Sequence, residues 1–325
     1  MRRGLALFAL ALLTACTAET PAPAPSGSAQ AVRPGDHTLT ITVGDKERTF
    51  LLHVPASYDP ARAVPAVLAL HYRPGSGAAM RGLTGLDAKA DAEGFLVAYP
   101  EGVGGQFNAF DCCGTQDDVG FVKAVAERLV RQWHADADRL FLAGVSNGGD
   151  LSFRTAVEAP GVFAAIGVVS GGFAGGRTEA ADYRPAAPVS VVTLVGADDP
   201  QAAALRTGLD TWRTRLRCTP APASGAPPST GTAPPPSAGA APSPATGTAP
   251  PAPAGTGTPP AQPADPAVHR TSTHCQDGSD VDAYVVDGAG HVWFGAASGE
   301  LKDTTAKVDA TRVLWEFFAA HPRRR

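Results

Sequence analysis

Residues 38–43 alternate apolar and polar side chains, 48–54 form a second β-rich run, and Gly44–Asp45 lies between them. A period of two with a short turn predicts a hairpin of half-buried strands. Further along, the alternation disappears. Short runs at 66–70, 95–99, 140–143, 164–169, 189–195 and 281–286 are almost continuously apolar. Such strands are stable where both faces are covered, as in a parallel sheet between helices. Between several of these runs the period lengthens. Phe121, Val122, Val125, Leu129 and Val130 make one stripe at helical spacing within 118–133, and 151–159 and 305–320 also read as helices. Strands and helices in alternation predict an α/β architecture, with a mainly parallel, doubly wound sheet.

One long stretch has no period. From Thr219 to about Pro266 the chain is nearly all Pro, Ala, Gly, Ser and Thr, and no large apolar residue comes before Val268. It cannot bury enough apolar surface to offset its ordering entropy, which predicts a disordered insertion at about 219–268. A linker between two domains would need more chain after it. An insertion into a surface loop costs little, so 36–325 reads as one domain.

The N-terminus has a different pattern. Arg2 and Arg3 precede an apolar stretch over 4–13, too short for a membrane span and suited to a signal peptide. The order Leu13-Thr14-Ala15-Cys16 is similar to a bacterial lipobox. The expectation is a signal peptide at 1–15, lipidation of Cys16 and a Pro/Ala/Ser-rich tether at 16–35. That chain would face outward from the cell envelope on a lipid anchor in the membrane. Cleavage to a free secreted protein is the alternative.

Charge adds an exclusion. The formal net charge is −4, and there is no basic run beyond the three terminal arginines, so nothing supports nucleic-acid binding. The Cys and His spacing offers no metal cluster. Neither metal nor cofactor is expected.

The candidate chemistry centres on Gly144-Val145-Ser146-Asn147-Gly148. G-x-S-x-G alone is weak, but here it follows the buried run at 140–143 and precedes a helical pattern. That order lifts a serine oxygen above the end of a strand and places the Asn147 amide at a helix N-terminus, where donors point toward developing negative charge. A serine nucleophile needs a base, and the base needs an orienting acid. Asp198 and Asp199 end one strand pattern, and His291 lies in a glycine-rich loop after another. Asp199 is preferred to Asp198. The other histidines precede the serine, flank the insertion or lie in the tail.

The stretches "FLLHVPASYDP", "PAVLALH", "VAYPEGVGGQFNAFDCCG", "DDVGFVKAVAERL", "RLFLAGVSNGG", "GADDP", "GAGHVWFG" and "VDATRVLWEFFAAHP" resemble the esterase family that includes polyhydroxybutyrate depolymerases and feruloyl esterases. The resemblance implies an α/β-hydrolase fold, with Ser146 as nucleophile, His291 as base and Asp199 as acid. It also implies an oxyanion hole from the amides of Asn147 and of Tyr72 or Arg73. His71-Tyr72 stands where the family has His-Gly, and Phe107 where tryptophan is common. The Val-Pro-Tyr usual after the acid is absent. Tyr costs a backbone donor only if the turn requires a positive φ. Trp293, near the histidine, is a candidate for the substrate pocket, with a core role as the alternative.

Family members carry cysteines where Cys218 and Cys275 stand, which implies a disulfide across the base of the insertion. Closing a loop of that length stabilises by roughly 4 kcal/mol in a chain-entropy model. Cys112 and Cys113 are adjacent, and a vicinal disulfide or two thiols are both open. The resulting expectation is a serine esterase acting on feruloyl or acetyl esters of polysaccharide, or on short hydroxyalkanoate esters. The competing expectation is a catalytically weak or inactive binding lipoprotein on the same fold.

Overall fold

A computed structural model describes residues 33–110, 112–221, 267–303 and 308–323. The expected signal peptide, Cys16, the tether as far as residue 32 and the body of the expected insertion (222–266) lie outside the described residues.

The sheet has ten strands: β1 (Gly35–Val43), β2 (Lys46–Val54), β3 (Val64–Leu70), β4 (Leu96–Pro100), β5 (Ala135–Val145), β6 (Ala165–Val169), β7 (Ser190–Gly196), β8 (Thr219–Pro220), β9 (Val268–His274) and β10 (Asp280–Val286). Their spatial order is β1-β2-β4-β3-β5-β6-β7-β10-β9-β8. The pairs β4–β3, β3–β5, β5–β6, β6–β7 and β7–β10 are parallel. The outer pairs β1–β2, β2–β4, β10–β9 and β9–β8 are antiparallel. The helices are α1 (Gly77–Thr84), α2 (Leu86–Glu93), α3 (Asp118–Trp133), α4 (Asn147–Glu158), α5 (Ala202–Arg215) and α6 (Ala310–Ala320).

The apolar runs of the sequence are the central parallel strands, and burial explains their composition. In β3, Ala66, Leu68 and Leu70 join the core cluster that includes residues of α3, α4 and α5. Val67 and Ala69 join the cluster under α1, α2 and α6. Successive side chains of a strand alternate between faces, so helices on both faces leave no position where a polar side chain would meet water. Each large side chain so buried stabilises by about 1.5–3 kcal/mol. Phe141 of β5, for example, stacks on Phe318 of α6 at 4.8 Å between centroids.

Local signals set the helix ends. Asp117 caps α3 by accepting from the Gly120 N–H at 2.8 Å, and His134 ends it in a left-handed conformation. The buried pair Arg48 and Asp118, 2.7 Å apart, ties β2 to α3. The second oxygen of Asp118 accepts from Asn108 N–H at 2.7 Å, and Arg48 donates to the Glu101 carbonyl at 3.1 Å. This one ion pair therefore also fastens the loop that follows β4 at two points.

Four outcomes differ from expectation. Helix α4 starts at Asn147 and not at 151, because its first turn contains the glycines read as a loop. Helix α6 starts at Ala310 and not at 305, and residues 304–307 lie outside the described residues. The edges of the expected insertion are ordered: Thr219 and Pro220 pair with His274 and Thr273, and Val268 begins β9. Lastly, α1, α2, α5, β8 and β9 have no counterpart in the hydrophobic pattern. Strand β9, flanked on its outer side only by the two-residue β8, is made of mostly polar, exposed residues, and such a strand needs no apolar face.

Candidate active site

Ser146 sits between the last residue of β5 and the first of α4, with φ 52° and ψ −123°. For a residue other than glycine that conformation costs on the order of 1–3 kcal/mol, and it persists where surrounding packing imposes it. Here the packing is visible. A Cβ at Gly144 would lie 2.3 Å from the Gly148 carbonyl oxygen, and one at Gly148 would lie 2.3 Å from that of Leu70. The glycines let the helix start press directly onto β5 and β3. Ser146 N–H donates to the Val169 carbonyl of β6 at 3.0 Å, and its own carbonyl accepts from Asp150 N–H at 3.0 Å.

Asp199 follows β7, and its side chain is fully buried. Its Oδ1 accepts from Gln201 N–H at 2.8 Å, and its Oδ2 accepts from His291 Nδ1 at 2.7 Å. An ionised carboxylate only accepts, so the His291 proton sits on Nδ1 and Nε2 is left with a lone pair. Asp198 is exposed, and its backbone N–H donates to the Ala289 carbonyl at 2.9 Å. His291 follows β10 and is one-quarter exposed. Ser146, Asp199 and His291 therefore come from the C-terminal ends of three parallel strands, along one edge of the sheet. Ligand sites in open α/β sheets form at that edge.

Asn147 opens α4, where the first N–H groups have no partner within the helix. Its side chain is occupied elsewhere: Oδ1 accepts from Phe107 N–H at 2.8 Å, and Nδ2 donates to the Phe107 carbonyl at 3.0 Å. Only its backbone is left to offer a ligand. Tyr72 and Arg73 lie on the loop after β3, whose His71 carbonyl would stand 2.6 Å from a Cβ at Gly148. Tyr72 is not among the residues with positive φ, so the tyrosine is compatible with its turn. Its ring is buried in the cluster that includes α1, α2 and α6. Burial raises the phenol pKa above its usual value, with Glu300 adding to the effect. Arg73 is exposed and donates through Nε to Gln106 Oε1 at 2.8 Å. Buried His71 fastens the same loop: Nδ1 donates to the Tyr72 carbonyl at 2.7 Å, and Nε2 accepts from Gly102 N–H at 3.0 Å. Desolvation lowers its pKa, in keeping with a neutral ring that both donates and accepts.

Trp293, a candidate for the substrate pocket with a core role as the alternative, is buried. It is 1% exposed, packs with α1, α2 and α6, and donates its indole N–H to Thr311 Oγ1 at 3.2 Å. The loop turns the ring inward, because an indole buries a large apolar area once its one donor is satisfied. Cys218 and Cys275 have their sulfurs in bonding contact, and so do Cys112 and Cys113.

Asp150 has no counterpart in the sequence reading. Its Oδ1 accepts from Gly172 N–H at 2.8 Å, and burial pushes its carboxyl pKa up to about 7 despite that bond. In the unfolded chain the carboxyl ionises at the ordinary aspartate value of 3.8. The folded state therefore holds the extra proton between about pH 4 and pH 7, and stability falls as pH rises through that window. Asp150→Asn removes this slope. The variant is expected to match the native protein near pH 4 and to exceed it by about 2–4 kcal/mol at pH 8, read from urea unfolding at both pH values. A difference independent of pH would contradict the raised carboxyl.

Asp36, His53 and Asp87 bring ligand atoms within 4.8 Å of one another. These groups already bind one another and their neighbours: Asp36 holds His53 Nδ1 at 2.7 Å, Arg81 donates to Asp36 and Asp87, and Tyr99 donates to Asp87 at 2.7 Å. The cluster is an ion-pair network that also takes in Asp91, 3.2 Å from His53 Nε2.

Residues 49–183 match the family described as esterase PHB depolymerase. The chain is 35% identical over 223 residues to NocK of Nocardia uniformis subsp. tsuyamanensis, named as an esterase, across 61% of this chain and 64% of that one. It is 29% identical over 170 residues to feruloyl esterase C of Emericella nidulans, across 50% of this chain and 59% of that one. The chain thus spans about three-fifths of the length of these two relatives. Among solved structures, Thermogutta terrifontis esterase 2 phosphorylated by paraoxon superposes with a TM-score of 0.55 at 13% identity, over 88% of this chain and 94% of that one. This last likeness shows the α/β-hydrolase fold.

Proposed function

We propose that the chain, which matches the esterase PHB depolymerase family over residues 49–183 and resembles the relatives named as esterases, is a serine carboxylic-ester hydrolase on an α/β-hydrolase fold. The observation that carries the reading is the 2.7 Å bond from His291 Nδ1 to buried Asp199, on the sheet edge where Ser146 is held at positive φ. In this mechanism Ser146 Oγ attacks the ester carbonyl carbon while His291 Nε2 takes its proton. The carbonyl oxygen becomes an oxyanion, held by the backbone amides of Asn147 and of Tyr72 or Arg73. Collapse expels the alcohol, which takes the proton back from His291 and leaves an acyl-serine. Water, deprotonated by the same imidazole, then releases the acid. Asp199 keeps the imidazole in the required tautomer throughout.

Feruloyl or acetyl esters of polysaccharide are the proposed substrates, with short hydroxyalkanoate esters as the second class. The polysaccharide reading draws on the relative named feruloyl esterase C. Export and anchoring through a lipidated Cys16 are further parts of the proposal and rest on the N-terminal sequence.

The test is hydrolysis of methyl ferulate, p-nitrophenyl acetate and a hydroxybutyrate oligomer by the mature chain. Labelling with a fluorophosphonate, followed by peptide mapping, accompanies it. The expected result is turnover of at least one ester and covalent label on Ser146. A chain that hydrolyses none of the three and takes no label would be a binding protein on a hydrolase fold.

A further inference from the structure

Ser170, at the end of β6, is fully buried and has φ 48°. For a residue other than glycine this is an unfavourable backbone conformation, and no catalytic role has been given to the residue. Its contacts account for its position. Its N–H donates to the Leu194 carbonyl of β7 at 2.9 Å. Its hydroxyl donates to the Val292 carbonyl at 3.1 Å, one residue after His291.

The neighbours of Ser170 reach the nucleophile. Val169, just before it, accepts the Ser146 N–H at 3.0 Å. A Cβ at Gly171, just after it, would lie 2.6 Å from the Ser146 carbonyl oxygen. Gly172 donates to Asp150 in the first turn of α4 at 2.8 Å. Residues 169–172 therefore grip the serine turn at three points and the histidine loop at one.

The histidine loop needs such a grip. It is glycine-rich, with Gly288 and Gly295 at positive φ, and its position is set by single bonds, among them Trp293 N–H to the Leu301 carbonyl at 2.8 Å. Asp199 fixes one ring nitrogen, which leaves the ring free to swing about that bond if the loop moves. On the near side of the histidine, the Ala289 carbonyl is held by Asp198 N–H at 2.9 Å. On the far side, the Val292 carbonyl is held by Ser170.

We propose that Ser170 is a positioning residue: its hydroxyl bond to the Val292 carbonyl sets the register of the His291 ring against Ser146. The inference rests on the serine-esterase reading. Ser170 touches neither substrate nor reacting atom and acts through His291 alone. Loss of the hydroxyl lets the imidazole drift from the serine oxygen, and displacements of about 1 Å in such sites cost about 100-fold in rate.

The experiment measures kcat and KM for p-nitrophenyl acetate in Ser170→Gly and Ser170→Ala, each alone and combined with His291→Ala. Rates are expressed per site titrated to completion by fluorophosphonate, with thermal midpoints alongside. Glycine relieves the positive φ and alanine does not, while both lack the hydroxyl, so a loss shared by the two belongs to the hydroxyl. The expected result is a fall in kcat of about 10- to 100-fold with KM within about twofold. In the His291→Ala background the Ser170 changes cause no further loss, because the group they act through is gone. Native kcat in Ser170→Gly, or a loss of equal size with and without His291, overturns the proposal. If His291→Ala alone keeps the native rate, the esterase mechanism itself falls, and this proposal falls with it.

Discussion

Replacing Ser146 with alanine is expected to lower kcat for ester hydrolysis by on the order of 10⁴- to 10⁶-fold while leaving the fold intact. The size of the loss follows from what the change removes. Alanine keeps the backbone, the helix start and the two proposed oxyanion amides, and it deletes the one atom that bonds to the acyl carbon in the proposed mechanism. The residual rate is then that of water attacking an ester held against amide donors. KM stays near its native value, since Oγ contributes little to ground-state binding. Alanine inherits the same φ of 52°, so the thermal midpoint moves little. Active-site titration before the assay excludes trace native enzyme. Equal rates for variant and native chains would end the serine mechanism and leave the binding-protein reading in its place.

Asp199→Asn is the next largest effect, expected to cost about 10⁴-fold in kcat, the loss seen when a triad imidazole is held in the wrong tautomer. The hydrogen bonds of Asp199 dictate the direction. Its Oδ1 is fixed by the Gln201 N–H, and its Oδ2 faces His291 Nδ1. An asparagine keeps its oxygen where Gln201 donates, which turns its NH₂ toward the imidazole. Nδ1 must then accept, the ring proton moves to Nε2, and the nitrogen that is the base in the proposed mechanism can no longer take a proton. Activity should recover partly at alkaline pH, where hydroxide can replace the missing base. Asp198→Asn is the control: that side chain is exposed, its backbone bond survives, and kcat should remain native. The reverse outcome, with loss at 198 and none at 199, would overturn the assignment of the acid.

Much of this protein could be read before any coordinates. The central strands were evident because helices cover both faces, and that burial forces a continuous apolar run. The hairpin of β1 and β2 was evident because one face meets water and imposes alternation. The serine turn was evident because its glycines answer a local demand: residues 144 and 148 meet backbone at distances no Cβ tolerates. The preference for Asp199 over Asp198 was an expectation from the sequence and its resemblance; in the structure Asp199 is buried and bonded to His291, while Asp198 is exposed.

Other features have no local cause and left no signal. The polar strand β9 is held by pairing with β10 and by the bond between Cys218 and Cys275, not by a buried face. Trp293 points inward because Thr311, eighteen residues away, offers its donor a partner. Ser170 looks like an ordinary residue at the end of a strand until the order β5-β6-β7-β10 sets it between the nucleophile turn and the histidine loop. Burial repeats along an element and so writes a period into the sequence. Which loops meet above the sheet depends on strand order and on single contacts between distant residues. The sequence by itself therefore determined the central strands and the first hairpin, the serine turn and the order of the candidate residues. Only the tertiary structure decided which of them meet, which tryptophan is core, and which buried serine stands behind the histidine.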